Sequence, residues 1–330
     1  MRKVSLGRSG LEVSRLGFGC MGLAEFYGDA LSDAEAEKVL AGALERGINF
    51  FDTADMYGSG RNEEQLSGFL KKNRNDVVMA TKFAIRRGDD GEWLGLSNDP
   101  KYIKEACEAS LKRLGVDVID LYYMHRRDRE VPVEDSVGAM ADLVEAGKVR
   151  AIGLSEVSAD TLKKAQAVHP IAALQSEYSI VTREMEADMI PACRELGVAL
   201  VAYSPLGRGL LTGAYRSEKD FDASDYRMAA NPRFSDGALE KNLTLVDQLE
   251  VIASAKGATL AQIALAWVLA KGDDIIPIPG TKKISRLEEN IGAVSVQLSA
   301  DDIAAIEKAV PPEAVAGSRY PETTASTLNA

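Results

Sequence analysis

The feature that most constrains the fold of this chain is a regular alternation of short β-branched and aromatic runs with longer segments of helical period. Eight such pairs follow one another along the 330 residues. Repeated strand and helix pairs are typical of a parallel sheet covered by helices, so we predict a (β/α)8 TIM barrel forming a single domain over residues 1–330. The predicted strands are Arg15–Cys20, Asn49–Thr53, Val77–Lys82, Ile119–His125, Ala151–Ser155, Ala173–Glu177, Ala199–Ser204 and Ile275–Pro279.

The clearest helical segments have apolar residues near positions i, i+3 and i+4, and glycine follows several of them, as expected at helix ends. They are Asp33–Arg46, Pro100–Leu114, Val133–Ala146, Ala159–Val168, Arg183–Leu196 and Thr259–Ala270. An open doubly wound sheet is the rival architecture, and it expects a glycine-rich turn after the first strand. The glycines of the segment GFGCMG, residues 17–22, begin inside the predicted strand, which favours the barrel.

Three segments lie outside the eight pairs. Lys3–Leu6 and Leu11–Ser14 flank a Gly-Arg-Ser-Gly turn and predict a β-hairpin that either caps one end of the barrel or forms a mobile arm. Residues 215–242 are polar and irregular, so we expect loops over the C-terminal face of the barrel. Residues 318–330 are interpreted as a tail that folds back toward the same face.

Composition excludes several function classes. A net charge of −11 argues against nucleic acid as a partner, because phosphate contacts need clustered Lys and Arg. No run of about eighteen apolar residues occurs, and the N-terminal segment has no apolar signal region, so we expect a cytoplasmic protein without a membrane partner. Cys20, Cys107 and Cys193 have no CxxC spacing, so neither a disulfide nor a metal site is predicted. The oligomeric state is left open.

Ionisable residues collect at the predicted C-terminal ends of three strands. Asp52 and Tyr57 follow the second strand in FFDTADMYG, Lys82 ends the third in MATKF, and His125 ends the fourth in YYMHR. Active sites of barrel enzymes lie at this face, so we expect the four side chains to converge there.

These motifs resemble those of the aldo-keto reductase superfamily, and the resemblance covers essentially the whole chain. It implies a catalytic tetrad of Asp52, Tyr57, Lys82 and His125, with Tyr57 as general acid and base. A free phenol, with a pKa of about 10, is a weak acid, so we expect the Lys82 ammonium to lower the pKa of Tyr57 and Asp52 to hold that ammonium. Neutral His125 is expected to donate a hydrogen bond to the substrate oxygen.

The resemblance also implies a nicotinamide site for NADPH or NADP+. Ser155 and Gln175 are implied to bind the carboxamide, and Tyr203 to stack on the ring, with ordinary barrel packing as the alternative for Tyr203. Many family members have Asn after that serine, whereas this chain has Glu156, whose carboxylate can only accept from the amide NH2.

Two loops are predicted to hold the phosphates. The first supplies small residues and backbone N–H groups, and the second precedes a helix N-terminus, a position where barrels often bind phosphate. The predicted contacts are Ser204, Leu206, Gly207, Gly209, Gly280 and Thr281. Lys282, Lys283 and Arg286 form a local cationic group, and the resemblance implies Arg286 and one lysine for the 2′-phosphate and Glu289 or Asn290 for the adenine. NADPH is therefore expected over NADH, a solvated basic helix face being the alternative.

Loops over the barrel mouth are expected to bind a small-molecule carbonyl substrate. The candidates are Met21, Phe26, Trp93, Arg126 and residues 319–321, and Trp93 could equally pin its own loop. The predicted function is reversible NADPH-dependent reduction of aldehydes and ketones to alcohols. The alternatives are a cofactor-sensing regulatory barrel and a cysteine-dependent aldehyde dehydrogenase, and the second is disfavoured because no base lies beside Cys20 in sequence.

Overall fold

A computed structural model describes residues 1–88, 90–221, 225–235, 237–325 and 327–328. The strands in this part of the chain are β1 (Lys3–Ser5), β2 (Glu12–Ser14), β3 (Phe18–Gly19), β4 (Phe50–Asp52), β5 (Val78–Phe83), β6 (Ile85–Arg87), β7 (Trp93–Leu96), β8 (Ile119–Met124), β9 (Val149–Ser155), β10 (Ile171–Glu177), β11 (Ala199–Tyr203) and β12 (Ile275–Pro277).

The helices of the described residues lie mainly between consecutive strands. They are α1 (Met21–Ala24), α2 (Asp33–Glu45), α3 (Arg61–Asn73), α4 (Pro100–Leu114), α5 (Val133–Glu145), α6 (Ala159–Val168), α7 (Met189–Leu196), α8 (Tyr226–Ala230), α9 (Ala238–Ala255), α10 (Leu260–Ala270), α11 (Ile284–Gly292), α12 (Ala300–Ala309) and α13 (Glu322–Ala325).

Eight parallel strands form the barrel, in the order β3-β4-β5-β8-β9-β10-β11-β12. The barrel closes between its first and last strands, where Gly17 N donates to Pro277 O at 2.9 Å and Gly19 N donates to Pro279 O at 3.2 Å. A Cβ at position 19 would lie 2.8 Å from the carbonyl oxygen of Ile278, so this seam requires glycine. The predicted (β/α)8 barrel is confirmed.

The first barrel strand is shorter than predicted, at Phe18–Gly19 instead of Arg15–Cys20. Arg15 N donates to Arg2 O at 3.1 Å, so the backbone of this residue pairs with the N-terminal segment, while its guanidinium donates to Ile275 O of β12. The other seven barrel strands start and end within two residues of their predicted limits.

The N-terminal hairpin caps the barrel. β1 and β2 pair antiparallel, and buried Leu6, Leu11 and Val13 pack into the apolar cluster inside the barrel with Phe50 and Ile276. A mobile arm would leave these side chains exposed, so the cap was the correct alternative. A second and larger apolar cluster fills the layer between the sheet and the helices.

One predicted helix is broken. Arg183–Leu196 divides into a 3-10 turn at Glu184–Glu186 and α7, which begins at Met189. A continuous helix would place Pro191 in its interior, where the ring clashes with the preceding turn, whereas a restart at Met189 puts the proline in the first turn. By contrast, α4 has the predicted limits, with Asp99 capping Lys101 N and Tyr102 N and with left-handed Gly115 at its end.

Two regions contain more regular structure than the sequence suggested. The segment expected to be the loop of Trp93 contains β6 and β7, which pair antiparallel. Residues 215–242 include a 3-10 turn at Glu218–Asp220, α8 and the start of α9, while residues 222–224 and 236 lie outside the described part. In the described residues no single helix is long and apolar enough to cross a membrane; α9 and α10 meet that criterion only jointly, with an 86° bend between them.

Candidate active site

A cavity of about 1000 Å³ opens at the C-terminal ends of the barrel strands. Most of the predicted site residues line it: Met21, Phe26, Asp52, Tyr57, Trp93, His125, Arg126, Ser155, Gln175, Tyr203, Ser204, Leu206, Gly209, Gly280, Thr281, Lys282, Lys283, Arg286, Glu289 and Asn290. Lys82, Glu156 and Gly207 are buried and do not line it.

Lys82 and Asp52 form a buried ion pair at the cavity floor, which Asp52 lines and Lys82 underlies. β4 and β5 are neighbours in the barrel, so the two side chains leave adjacent strand ends. Lys82 Nζ donates to Asp52 Oδ1 and, at 2.6 Å, to Thr53 O. Gln175 Nε2 donates to Asp52 Oδ2 at 2.7 Å, so the carboxylate is held on both oxygens.

Tyr57 lies over this pair, with its ring centroid 5.3 Å from Lys82 Nζ. The ring of His125 is perpendicular to that of Tyr57, at 87° and 5.9 Å between centroids. The structure thus brings together the four residues predicted as a tetrad.

The turn that carries Tyr57 is held from both sides. Thr53 Oγ1 donates to Asn62 Oδ1 at 2.5 Å, and Asn62 Nδ2 donates to Cys20 O at 3.1 Å. Gly58 has φ +57°, a left-handed conformation that favours glycine, and its N–H donates to Glu25 Oε2 at 2.7 Å. The turn is therefore fixed before any substrate arrives.

Burial controls the protonation of the four groups. Burial lowers the pKa of Lys82 and raises that of Asp52, and the attraction between the two opposes both shifts. The pKa of His125 lies well below its usual range because of burial and the nearby positive charges of Lys82 and Arg126, so the ring is neutral at neutral pH. His125 Nδ1 is buried without a hydrogen-bond partner among the described residues.

The pKa of Tyr57 lies above its usual range, so the expected net lowering is wrong: the contribution of Lys82 is outweighed. Burial raises the pKa of Tyr57 well above its usual range, the Asp52 carboxylate raises it further, and Arg126 opposes the rise. The hydrogen bonds of Lys82 go to Asp52 and Thr53, so most of its charge is offset by the adjacent carboxylate. Tyr57 is therefore a protonated phenol at neutral pH.

Ser155 and Gln175 offer complementary groups at the cavity wall. Ser155 Oγ accepts from Arg126 Nη1 at 3.2 Å, which leaves its hydroxyl proton free to donate. Gln175 uses its NH2 on Asp52, which leaves its carbonyl oxygen free to accept. One donor beside one acceptor matches a carboxamide, whose oxygen accepts and whose NH2 donates.

The expected contact of Glu156 with a carboxamide is not supported. Its Oε1 accepts from Glu177 N at 2.9 Å and from the Arg319 guanidinium, and the side chain is fully buried away from the cavity. Its backbone is left-handed, with φ +53°.

Glu156 belongs to a group that we call the arginine cluster: Glu156, Glu177, Arg208, Arg233 and Arg319. All five are at most 8% exposed. Arg208 binds both oxygens of Glu177, at 3.1 and 2.8 Å, and Arg233 lies 3.2 Å from the same carboxylate. Burial alone would raise the pKa of Glu177, but the three arginines lower it to about 2. The sequence did not predict the roles of Glu177, Arg208 and Arg233, because no sequence motif indicates that these residues form ion pairs with one another.

The C-terminal tail folds back toward the barrel mouth, as predicted, and reaches the site through the arginine cluster. Arg319 is bound by Glu156, and Tyr320 OH lies 2.9 Å from Tyr203 OH. Tyr203 and Tyr320 both line the cavity. The tail thus forms part of the cavity wall.

The three predicted phosphate cations have different surroundings. Lys282 Nζ donates to Tyr27 O at 2.8 Å and to Asp29 O, so it holds the loop after α1. Lys283 and Arg286 are exposed at the cavity rim and have no ion-pair partner among the described residues. They flank the start of α11, whose first N–H groups have no side-chain cap. Free cations at an uncapped helix N-terminus fit a phosphate group.

The predicted substrate contacts lie at the mouth. Phe26 packs against Tyr226 at 5.2 Å between ring centroids. Trp93 stands on β7 and is 58% exposed, so it does not pin its own segment to the barrel. Within the described residues, no group of three or more His, Cys, Asp or Glu is arranged to hold a metal ion.

A closed (β/α)8 barrel with ionisable side chains gathered at its C-terminal face defines the class of the protein, a barrel enzyme. Comparisons with known proteins narrow that class. Residues 15–311 match the sequence model of the Aldo/keto reductase family. The chain therefore belongs to the aldo/keto reductase family, a family of oxidoreductases that act on carbonyl groups, and the predicted membership is confirmed.

Similar proteins span nearly the same length. Probable aldo-keto reductase 1 of Glycine max is 46% identical over 97% of this chain and 92% of its own. Aldo-keto reductase yakc [NADP(+)] of Schizosaccharomyces pombe is 48% identical over 94% of this chain and 92% of its own. Among solved structures, the glycerol dehydrogenase AKR11B4 from Gluconobacter oxydans has a TM-score of 0.83 at 28% identity, covering 92% of this chain and 94% of that one.

Proposed function

We propose that this protein reduces aldehydes and ketones to alcohols with NADPH, using Tyr57 as the proton donor. The observation that carries the proposal is the convergence, at one large cavity, of a protonated Tyr57 with the Lys82–Asp52 pair and a neutral His125. The name of the yakc relative, which includes NADP(+), supports the choice of cofactor.

The residues of this chain supply the proton side of the reaction. NADPH, when bound, supplies the hydride that the carbonyl carbon receives. The raised pKa of Tyr57 keeps a proton on its hydroxyl at neutral pH, and that proton passes to the carbonyl oxygen. The Lys82 ammonium stabilises the phenolate that remains, and Asp52 keeps the ammonium in place.

His125 contributes a hydrogen bond without contributing a charge. A neutral imidazole N–H can donate to the carbonyl oxygen, which orients the substrate and stabilises negative charge developing there. The same groups act in reverse for alcohol oxidation, with Tyr57 as base, and the ratio of oxidised to reduced cofactor sets the direction.

Cofactor binding is divided among three parts of the groove. Ser155 would donate to the carboxamide oxygen, Gln175 would accept from the carboxamide NH2, and Tyr203 would offer its ring for stacking. The backbone of residues 204–209 would hold the pyrophosphate, and the segment from Gly280 to Asn290 the adenosine end. Lys283 and Arg286 would hold the 2′-phosphate, whereas Lys282 secures the loop at residues 27–29.

A regulatory barrel that only senses its cofactor is the alternative. A sensing barrel requires neither a proton donor nor a substrate pocket beside that donor. The complete tetrad at a cavity of about 1000 Å³ therefore favours an enzyme.

The test is the loss of NADPH absorbance with a panel of aromatic and aliphatic aldehydes and ketones, for the wild type and Tyr57→Phe. We expect turnover with the wild type and a loss of roughly 10²- to 10⁴-fold in kcat in the variant. NADPH binding, followed by fluorescence, should change little, because the phenol is not among the proposed cofactor contacts. Wild-type protein that binds NADPH tightly but turns over no carbonyl compound would favour the sensing barrel.

A further inference from the structure

Arg126 follows His125 directly at the C-terminal end of β8, and its side chain lines the cavity. Its Nη1 donates to His125 O at 2.7 Å and to Ser155 Oγ at 3.2 Å. These two bonds fix the plane of the guanidinium. Nε and Nη2 make no hydrogen bond to the described residues. Neither atom is sealed off inside the protein, so both can reach a ligand in the cavity.

Arg126 also differs from its cationic neighbours because it has no acidic partner among the residues that the structure describes. In the described part of the chain, no carboxylate oxygen lies within 4 Å of its guanidinium. Arg208, Arg227 and Arg319, by contrast, are bound to Glu177, Asp225 and Glu156. A half-buried guanidinium is usually paired, so the missing partner points to an anion that comes from outside the chain.

The local charge favours the same conclusion. The arginine cluster contains three arginines and two glutamates, which leaves one positive charge that the cluster does not neutralise. The positive charge of Arg126 acts on Tyr57 and His125, so the guanidinium lies near the reacting groups. A planar guanidinium binds a carboxylate through two parallel hydrogen bonds, which also orients the rest of the molecule.

We propose that Arg126 is an anion-binding residue of the substrate pocket, and that the preferred substrates are aldehydes or ketones carrying a carboxylate close to the reacting carbonyl. This inference rests on the proposed reductase function. The competing role for Arg126 is to position Ser155 alone, in which case it would act on the cofactor and not on the choice of substrate.

The test compares kcat/KM for 2-, 3- and 4-carboxybenzaldehyde with kcat/KM for the matching carbamoylbenzaldehydes, which are similar in shape but uncharged. We expect the wild type to prefer the acid at one ring position at least, and Arg126→Gln to reduce that acid-to-amide ratio by roughly 10- to 100-fold. Comparing one ratio between variants cancels the intrinsic reactivity of each aldehyde. The favoured ring position reports the spacing between carboxylate and carbonyl.

Two further variants separate the possible roles. Arg127→Gln removes the neighbouring arginine, which binds Thr161 Oγ1 at 3.0 Å and does not line the cavity, so the ratio should stay at the wild-type value. Ser155→Ala should weaken cofactor binding, and because it removes one of the two bonds that fix the guanidinium, it should lower the ratio less than Arg126→Gln does. If Ser155→Ala lowers the ratio as much as Arg126→Gln does, or if Arg126→Gln leaves it unchanged, the anion site is wrong.

A binding measurement distinguishes this inference from the reductase proposal. Calorimetry with benzoate and benzamide, neither of which can be reduced, should show tighter binding of benzoate to the wild type in the presence of NADP+, and no such preference for Arg126→Gln. If neutral benzaldehydes are reduced while benzoate has no advantage, the anion site fails and the reductase remains. If benzoate binding depends on Arg126 while no carbonyl compound is reduced, the reductase proposal fails and the anion site remains.

Discussion

Two buried ionic groups adjoin the cavity, and they are assembled in different ways. The Asp52–Lys82 pair joins two adjacent strand ends 30 residues apart and balances one carboxylate with one ammonium. The arginine cluster joins five residues spread over the chain, with Glu156 and Arg319 separated by 163 positions, and it carries an excess of arginine. We infer that the pair serves proton transfer, whereas the cluster sets the shape and charge of the cavity wall.

The largest expected effect comes from breaking the pair. Lys82→Met should lower kcat by roughly 10³-fold, because the phenolate of Tyr57 loses its stabilising charge. It should also lower the free energy of unfolding by about 3–5 kcal/mol, because Asp52 is left buried without its partner. Steady-state kinetics and urea denaturation measure the two effects. Lys72→Met removes an exposed ion pair with Glu37 and should change neither. A kcat within a few-fold of the wild type would contradict the role of the pair.

The next effect comes from opening the cluster. Arg319→Met should lower the free energy of unfolding by about 3 kcal/mol, because the Glu156 carboxylate is left buried without its cation. Since Arg319 holds Tyr320 against Tyr203, KM for the carbonyl substrate should rise more than kcat falls. Arg319→Lys keeps the charge and should recover part of both. If Arg319→Met lowers kcat and leaves KM unchanged, the cluster takes part in the chemical step, and the proposed difference between the cluster and the Asp52–Lys82 pair is wrong.

The smallest effect is a difference in pH dependence between the two regions. His125, beside the pair, has a pKa well below 6.5 in the folded state, so below pH 6.5 the unfolded chain binds the proton more readily. As the pH falls below 6.5, the free energy of unfolding should therefore decrease by about 1.4 kcal/mol per pH unit because of this group alone. In the cluster, the pKa of Glu177 is lowered to about 2, so its contribution is complete above its ordinary value of 4.5 and is lost only between pH 4.5 and about 2.

Urea denaturation at several pH values measures this difference. His125→Gln should flatten the decline in stability just below pH 6.5, whereas His169→Gln, which removes the half-buried second histidine, should leave it in place. An unchanged slope in His125→Gln would show that the buried imidazole is not responsible.

Much of the barrel could be predicted because its signals are local. Helix and strand periods, glycine stops and the cap at Asp99 act over a few residues, so α4 has its predicted limits. The predicted tetrad also depended on a simple geometric rule, since parallel strands in a barrel end at one face. The helix predicted at Arg183–Leu196 failed where a single proline outweighed a longer apolar period.

The sequence by itself determined the order of the strands and helices, the face on which the ionisable residues meet, and the identity of Tyr57 and the three residues around it. The tertiary structure alone decided which charges are paired. It bound Glu156 to Arg319 instead of leaving it to face the cavity and used Lys282 to hold a loop, and among the described residues it gave Arg126 no acidic partner. The reason is physical: the free energy of a charge depends on its burial and on partners brought close by packing, and neither is encoded by neighbours in the sequence.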